Sequence, residues 1–452
     1  MKSINNDPLR ILLVMPDANI HHIKYGPIKI SFREAPLTLT TLAALVPEDI
    51  KASVDIIDES VQAMTYDDQY DLVGISCLTG TAERAYEIAD KYRRIGATVV
   101  LGGVHVGLRP DEASIHADSI VIGYAEKSWP RLLRDYITGE LKPRYEDHDV
   151  ELSAIPNPKR HLQKKYGYMA PNTVFATRGC NKSCDFCTVA ATHFGWSARP
   201  MSDVISEIKE IRSKRVVFND VSIAEERSYA KELFTAMIPL KKKWGGLATI
   251  DIVKDDELLD LMRRSGCIYL LIGMESIATN GISSINKHFN NTVNYQEAME
   301  KLRSHGIIVQ GCFIFGLDYD DKTVFESTVQ AVNDLKVDIP RFAIYTPYPE
   351  TGAFVRLKSE GRILHEYWPH YDTQHVVFRP KNMSPEELDK GFRWAYEKAF
   401  SISSILERMY SSKHLPITFL GNMAYRIYVK RLQHDLLRHY SLEPNEVKLC
   451  HA

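Results

Sequence analysis

Three of the seven cysteines, Cys180, Cys184 and Cys187, fall within Thr177 to Cys187 (TRGCNKSCDFC), at the spacing Cys-x3-Cys-x2-Cys. Cysteine thiolates are the usual protein ligands of iron–sulfur clusters. This spacing lets one loop wrap three corners of a four-iron cube, with Gly179 and the polar residues 181–183 supplying the tight turn. The loop has no fourth cysteine. Three ligands leave one iron open, which suits catalysis better than electron storage, by the logic that keeps a coordination position free in catalytic zinc sites. Two other readings stay open on the residues alone. One is a chance group of core cysteines, against which the polar, glycine-containing context argues. The other is a zinc site completed by His193.

Length and charge bound the rest. A chain of 452 residues is long enough for two to four domains, each with its own core. With 44% hydrophobic and 25% charged residues it has the balance of a globular protein. The formal charge of −2 provides no positive field for nucleic acid or an anionic membrane. No apolar run reaches the ~18–20 residues that span a bilayer, and the polar stretch Met1–Pro8 is not a signal peptide. The expectation is a cytoplasmic protein without nucleic-acid partner or stable membrane insertion. An odd, thinly spread set of cysteines is no disulfide framework. Cys77, Cys267 and Cys312, in or beside apolar runs, read as buried structural thiols, and Cys450 as incidental.

The elements that must position the cysteines follow from periodicity. Short apolar runs at Arg10–Met15, Val54–Asp58, Asp71–Leu78, Ala97–Leu101 and Ser119–Ile122 alternate with helical patterns at Leu37–Val46, Thr81–Ile95 and Trp129–Thr138. They predict a doubly wound α/β domain over 1–145 of Rossmann or flavodoxin type, whose ligands sit beyond the carboxyl ends of the strands. A Pro-containing polar linker is expected over 146–168. A second series over 169–380 predicts strands at Thr173–Ala176, Val216–Asn219, Ala248–Asp251, Tyr269–Ile272, Val309–Phe315 and Arg341–Thr346, with helices between them. Six such units suggest a partial (β/α)6 barrel, with its chemistry at the C-terminal strand ends. The region 381–452 is expected to be a helical C-terminal domain.

The cysteine loop, placed directly after the first barrel strand, resembles the cluster loop of the radical S-adenosylmethionine superfamily over about residues 170–380. Phe186 matches the aromatic residue commonly found before the last cysteine. The resemblance implies a [4Fe–4S] cluster whose open iron chelates S-adenosylmethionine, and reductive cleavage of the sulfonium to a 5′-deoxyadenosyl radical. It implies cofactor contacts from Asn219 and Asp220 in FNDVS, from Glu275 in LIGMES, and from Gly311 and Gly316 in GCFIFGLD. Asn219 and Asp220 could equally cap the next helix. Glu275 and Tyr345, the latter in YTPYPETG, are the candidate catalytic side chains.

Within this superfamily, an N-terminal doubly wound domain is similar to the cobalamin-binding domain. The stretches that carry the similarity are GISCLTGT (Gly74–Thr81), LGGVHVG (Leu101–Gly107) and GYAEK (Gly123–Lys127). They imply cobalamin contacts from Ser76, Thr79, Gly80, Gly102, Gly103, His105 and Gly123. A Gly-x-Gly-x-x-Gly fingerprint is missing, which argues against a dinucleotide. The Asp-x-His-x-x-Gly motif, whose histidine ligates cobalt in many methyltransferases, is also missing, since Asp17 and His21 have the wrong spacing. His105 therefore reads as a loop residue lining the site rather than a cobalt ligand.

The best overall similarity is to the subgroup of hopanoid and bacteriochlorophyll side-chain methylases and the anaerobic protoporphyrin ester cyclase. It implies methylation of an unactivated carbon through methylcobalamin, with cyclisation or rearrangement without methyl transfer as the alternative. A non-enzymatic corrinoid or iron–sulfur carrier is a further alternative, but it needs no barrel with sites at several strand ends. The implied partners are a small-molecule substrate and an electron donor such as flavodoxin or ferredoxin. The substrate would be large and apolar if C-terminal aromatics such as Trp394 and Tyr425 close over it; aromatics at that spacing are more often helix core. Lys430, Arg431 and Arg438 would meet a carboxylate or form a solvated helix face.

Overall fold

The computed structural model describes residues 7–17, 22–25, 28–66, 70–148, 151–192, 194–410 and 412–439. His21, His193 and Cys450 lie outside these residues, and for Arg431 and Arg438 only the backbone is described.

The N-terminal region forms, in chain order, β1 (Leu9–Met15), β2 (His22–Tyr25), β3 (Ile28–Glu34), α1 (Thr38–Ala44), β4 (Ala52–Asp58), β5 (Leu72–Ser76), α2 (Ala82–Arg94), β6 (Thr98–Gly102), α3 (Val104–Leu108), α4 (Pro110–Ile115), β7 (Ser119–Gly123), α5 (Ala125–Thr138) and β8 (Arg144–Asp147). Six of the strands make one parallel sheet in the order β4-β1-β5-β6-β7-β8. Near-continuous apolar runs such as Ile11–Val14 are buried on both faces, as a parallel sheet between helix layers requires. The order reverses between β1 and β5, the flavodoxin-type switch point, which sets the ligand crevice at the carboxyl ends of these strands.

The second region contains β9 (Tyr168–Ala170), β10 (Thr173–Val174), β11 (Thr177–Arg178), α6 (Thr188–Ala191), β12 (Ser197–Ala198), α7 (Met201–Glu210), β13 (Arg215–Phe218), α8 (Arg227–Met237), β14 (Lys243–Ala248), α9 (Asp256–Ser265), β15 (Cys267–Glu275), α10 (Thr279–Ser284), α11 (Tyr295–Ser304), β16 (Ile308–Phe315), α12 (Val324–Asp334), β17 (Ile339–Ile344) and α13 (Gly352–Ser359). Its six-stranded sheet runs in chain order, β10-β13-β14-β15-β16-β17, all parallel. This is the partial barrel. Alternate residues such as Leu270, Ile272 and Met274 pack outward against the helices. Their neighbours Tyr269, Leu271 and Gly273 face the lumen.

Three expectations need correction. The stretch 146–168 is not a free linker. Its start belongs to β8, the sixth strand of the first sheet, and Leu152 and Ile155 are buried with Leu37 and Phe175. At its end Tyr168 opens β9, which pairs with β3 and so laces the N-terminal region to the barrel. The third barrel strand is Lys243–Ala248, and residues 250–254 form a 3-10 turn rather than a strand. The chain end is not a separate domain. In α14 (Pro385–Ala399), α15 (Ile402–Met409) and α16 (Leu415–His439), residues Leu388, Phe392, Tyr396 and Ile405 share the barrel's own core. No helix among the described residues is long and apolar enough to cross a membrane.

Candidate active site

The cysteine loop leaves the barrel after β10, and its root is gripped by Asp220 from the end of β13. Asp220 Oδ1 accepts hydrogen bonds from Thr177 N at 2.5 Å, Thr177 Oγ1 at 2.6 Å and Ala176 N at 3.1 Å. Burial pushes this carboxyl up to about 6 against the opposing pull of those bonds. Expected as a cofactor contact, Asp220 instead spends its oxygens on the backbone that launches the loop. Its neighbour Asn219 donates to Ala35 O at 3.3 Å, which ties the barrel to the segment after β3.

Gly179 turns the loop in the left-handed region, at φ 72. A Cβ there would lie 2.7 Å from Phe194 O, so no side chain fits. Cys180 N donates to Phe194 O at 3.3 Å and Trp196 N to Asn181 Oδ1 at 3.1 Å, closing the loop on itself. Cys180, Cys184 and Cys187 are free, partly exposed thiols. Burial pushes the Cys184 thiol up to about 12, with the Lys287 charge opposing it and the charges of Cys187 and Cys180 adding to it. All three sulfurs are thus within electrostatic reach of one another. Among the described residues no three His, Cys, Asp or Glu side chains converge as ligands of a single ion. The corner ligands of a cube bind three different irons and need no such convergence. Three thiols on one loop fit a [4Fe–4S] cluster, and its binding would displace their protons.

The loop's outer edge is docked by Asp185. Its backbone N donates to Ile285 O at 3.2 Å, and its O accepts from Ala353 N at 3.0 Å. Its Oδ2 accepts from Tyr345 OH at 3.0 Å, and Arg356 donates to the same tyrosine oxygen at 3.3 Å. Tyr345, a candidate catalytic group, is buried and works here as a brace. Phe186 sets its ring edge-on to Tyr345 at 6.5 Å.

Glu275 closes β15 beside a register shift, with φ 63, and forms a buried ion pair with Lys287. Lys287 also donates to Gly273 O at 3.0 Å. No motif pointed to Lys287, and its only signal was a lysine in a loop. Gly311 does not open the lumen as expected: a Cβ there would meet Val337 and Met274, on the helix side of β16. Gly316 lies beyond β16, where its N donates to Asp320 Oδ2 at 2.9 Å and its α-carbon faces Leu388 of α14. Cys312, read as a buried structural thiol, is partly exposed on the lumen face of β16; Cys77 and Cys267 are buried as expected.

The N-terminal domain presents its strand ends to this loop. Arg178, two residues before Cys180, forms an ion pair with Glu126 at the start of α5. The Tyr124 and Phe194 rings meet beside it, tilted, with centroids 4.4 Å apart. Two family models match the chain: the B12 binding domain over residues 28–133 and the Radical SAM superfamily over residues 174–331. Bacteriochlorophyllide d C-12(1)-methyltransferase of Chlorobaculum tepidum is 31% identical over 391 residues, 83% of this chain and 84% of that protein. The chain belongs to the cobalamin-binding radical S-adenosylmethionine enzymes. Bacteriochlorophyllide d C-8(2)-methyltransferase of the same organism is 28% identical, over 90% of this chain and 95% of that one. The solved structure of the radical S-adenosylmethionine methyltransferase TsrM from Kitasatospora setae shares the fold, with a TM-score of 0.62 at 16% identity over 85% of each chain.

In this radical S-adenosylmethionine enzyme the carboxyl ends of β5, β6 and β7 gather the residues expected at the corrinoid. Ser76 and the following turn through Thr79 and Gly80, the pair Gly102-Gly103, and Gly123 all stand there. Leu78, at the tip of the β5 turn, is 47% exposed, an apolar side chain beside polar backbone, which suits a corrin edge. Gly123 has a nearer reason to be glycine: with φ 84, a Cβ would lie 2.9 Å from the Asp147 carbonyl carbon. His105 does not line the crevice. It is fully buried, with Nδ1 3.3 Å from Thr79 Oγ1 and Nε2 3.3 Å from Glu112 Oε1. Glu112 also accepts from Tyr86 OH and Trp368 Nε1, each at 2.9 Å. Both ring nitrogens are engaged, so the residues fit cobalamin without a ligand from His105. Trp368 and Tyr371 bring the end of the barrel region against this face, with Tyr371 O 3.3 Å from the Cβ position of Gly80.

Proposed function

We propose that this enzyme methylates an unactivated carbon on a chlorin-type tetrapyrrole. The observation that carries the reading is the meeting of the two cofactor domains. The Arg178–Glu126 pair and the Tyr124–Phe194 contact set the cluster loop against the carboxyl end of the cobalamin-domain sheet. A substrate between them would face both cofactors. The choice of chlorin is supported by the two bacteriochlorophyllide methyltransferases, each matched along most of its length.

When bound, the cofactors supply a 5′-deoxyadenosyl radical to remove a hydrogen atom and a cobalt-borne methyl group to replace it. The chain supplies positioning. Cys180, Cys184 and Cys187 would hold the cluster; Asp220 and Gly179 fix the root of their loop; Asp185, Tyr345 and Arg356 fix its far edge. Glu275, held by Lys287, would orient the adenosyl part. Ser76, Thr79, Gly80, Gly102, Gly103 and Gly123 would take the edge and tail of the corrinoid. A flavodoxin or ferredoxin would deliver the electron.

The test is anaerobic product analysis of the reconstituted holoenzyme with a panel of free-acid chlorins and a triterpene control. The reading expects a chlorin one methyl group heavier. A chlorin that gains a ring without a methyl group would point to cyclisation. Methylation of the triterpene alone would overturn the substrate class.

A further inference from the structure

The lumen of the barrel contains a cation for which the mechanism above has no use. Strands β15, β16 and β17 contribute CIYLLIGME (267–275), IVQGCFIF (308–315) and IPRFAI (339–344), and their charged residues are Glu275, which is paired with Lys287, and Arg341, which is not paired. Phe342 and Ile344 are packed outward in the core, so Arg341 points the opposite way, and it pairs in register with Cys312 on the lumen face. The guanidinium lies deep in the protein, and the residue is only partly exposed. Among the described residues it has no hydrogen bond and no carboxylate within ion-pair distance. Its immediate surroundings are polar groups rather than carboxylates. Tyr269 donates to Gln310 Oε1, and Gln310 Nε2 donates to Tyr425 OH at 2.6 Å. The Tyr425 hydroxyl keeps its own proton to give, and the Arg341 charge acts on Tyr425, Tyr269 and Cys312. The carboxylate of Glu34, at the end of β3, acts on the same two tyrosines but makes no ion pair with Arg341.

A guanidinium drawn largely out of water without a partner is costly, and an arriving anion would offset that cost. We propose that Arg341, with the Tyr425 hydroxyl beside it, receives the free carboxylate of the substrate in the barrel lumen. A planar guanidinium pairs with a carboxylate through two parallel N–H···O bonds, which fixes direction as well as affinity. The substrate would then be anchored at one end by its acid group, with its reacting carbon presented upward between the cluster loop and the cobalamin face. The inference rests on the chlorin reading above and adds the requirement that the chlorin be a free acid.

The experiment is equilibrium binding of a free-acid chlorin and its methyl ester to anaerobic holoenzyme, for wild type, Arg341→Gln and Arg341→Lys. S-Adenosylmethionine binding and iron content are followed in parallel. Wild type should prefer the acid by roughly 10- to 100-fold, the strength of a charge-assisted bond in a dry site. Arg341→Gln should erase that preference and Arg341→Lys should restore part of it, both with unchanged iron and unchanged S-adenosylmethionine affinity. Equal preference in wild type and Arg341→Gln would overturn the assignment while leaving the chlorin reading intact. Loss of S-adenosylmethionine affinity in Arg341→Gln would also overturn it, by assigning the guanidinium to the co-substrate's carboxylate. Binding of neither acid nor ester by wild type would overturn the chlorin reading and the inference with it.

Discussion

Replacing Gly179 with alanine separates the cluster loop from the rest of the fold. The backbone at 179 has φ 72, a conformation that costs a non-glycine residue about 1–2 kcal/mol. The added Cβ would run into the Gly195 carbonyl oxygen and lie 2.7 Å from both the Gly195 carbonyl carbon and the Phe194 carbonyl oxygen. Ordinary C···O contacts begin near ~3.3 Å, so the 194–195 segment must retreat by more than about an ångström. That movement pulls on two bonds that close the loop, Cys180 N to Phe194 O at 3.3 Å and Trp196 N to Asn181 Oδ1 at 3.1 Å. At about 1 kcal/mol each, the local penalty is about 3–4 kcal/mol, against about 5–15 kcal/mol for unfolding a domain. Gly179→Ala should therefore fold, bind cobalamin with wild-type affinity, and lose most of its reconstituted iron and all reductive formation of 5′-deoxyadenosine. Iron and sulfide analysis, visible absorbance and cobalamin titration on one preparation provide the readouts. Full iron content with wild-type deoxyadenosine formation would refute the reasoning, since the loop would then tolerate a displacement that the geometry forbids.

Three other perturbations have definite outcomes. Lys287→Met leaves Glu275 buried and unpaired, which should cost about 3–5 kcal/mol in denaturant melts of the apoprotein; adding Glu275→Gln should recover most of it, and a single variant as stable as wild type would contradict the pairing. Asp220 has a folded pKa raised to about 6 from 3.8, so its contribution to stability is fully present below the unfolded value and is lost as pH rises through about 6. Apoprotein melts should accordingly show wild type gaining about 2–3 kcal/mol on Asp220→Asn between pH 8 and pH 4, and a pH-independent gap would refute the shift. Glu126→Gln removes the ion pair between the cobalamin domain and the cluster loop; both cofactors should still load, but methylated product per deoxyadenosine should fall several-fold, and an unchanged ratio would show that the pair does not couple the domains.

The strands with continuous apolar runs were readable because burial on both faces leaves nothing polar in them; Ile11–Val14 and Val99–Leu101 needed no context. The third barrel strand was not readable, because KWGGLA looks like a turn. Gly245 is small there because the Tyr269 ring lies 2.9 Å from its Cβ position, a constraint set by the neighbouring strand. The β3–β9 pairing joins residues more than a hundred positions apart, and β9, with three residues, is too short for periodicity to register. At the site, the cysteines were legible because their spacing is itself the chemistry. Asp220 was found for the wrong role, since a carboxylate at a strand end reads the same whether it turns toward a ligand or toward its own backbone. His105 was misplaced for a similar reason, because its glycine-rich setting suggested a crevice and Glu112, seven residues on, holds it in the interior. Lys287 and Arg341 belong to no motif, and Arg178 and Glu126, although each lies in a motif, acquire meaning as a pair only when distant segments meet.

The most direct test of cobalamin-dependent radical methylation is a single anaerobic turnover series with methyl-labelled S-adenosylmethionine and a free-acid chlorin. It counts three products: 5′-deoxyadenosine, S-adenosylhomocysteine and labelled chlorin. The account expects one of each per turnover, with all three lost in Cys184→Ala and only methylated chlorin and S-adenosylhomocysteine lost when cobalamin is withheld. Deoxyadenosine and altered chlorin formed without S-adenosylhomocysteine, at the same rate with and without cobalamin, would contradict it.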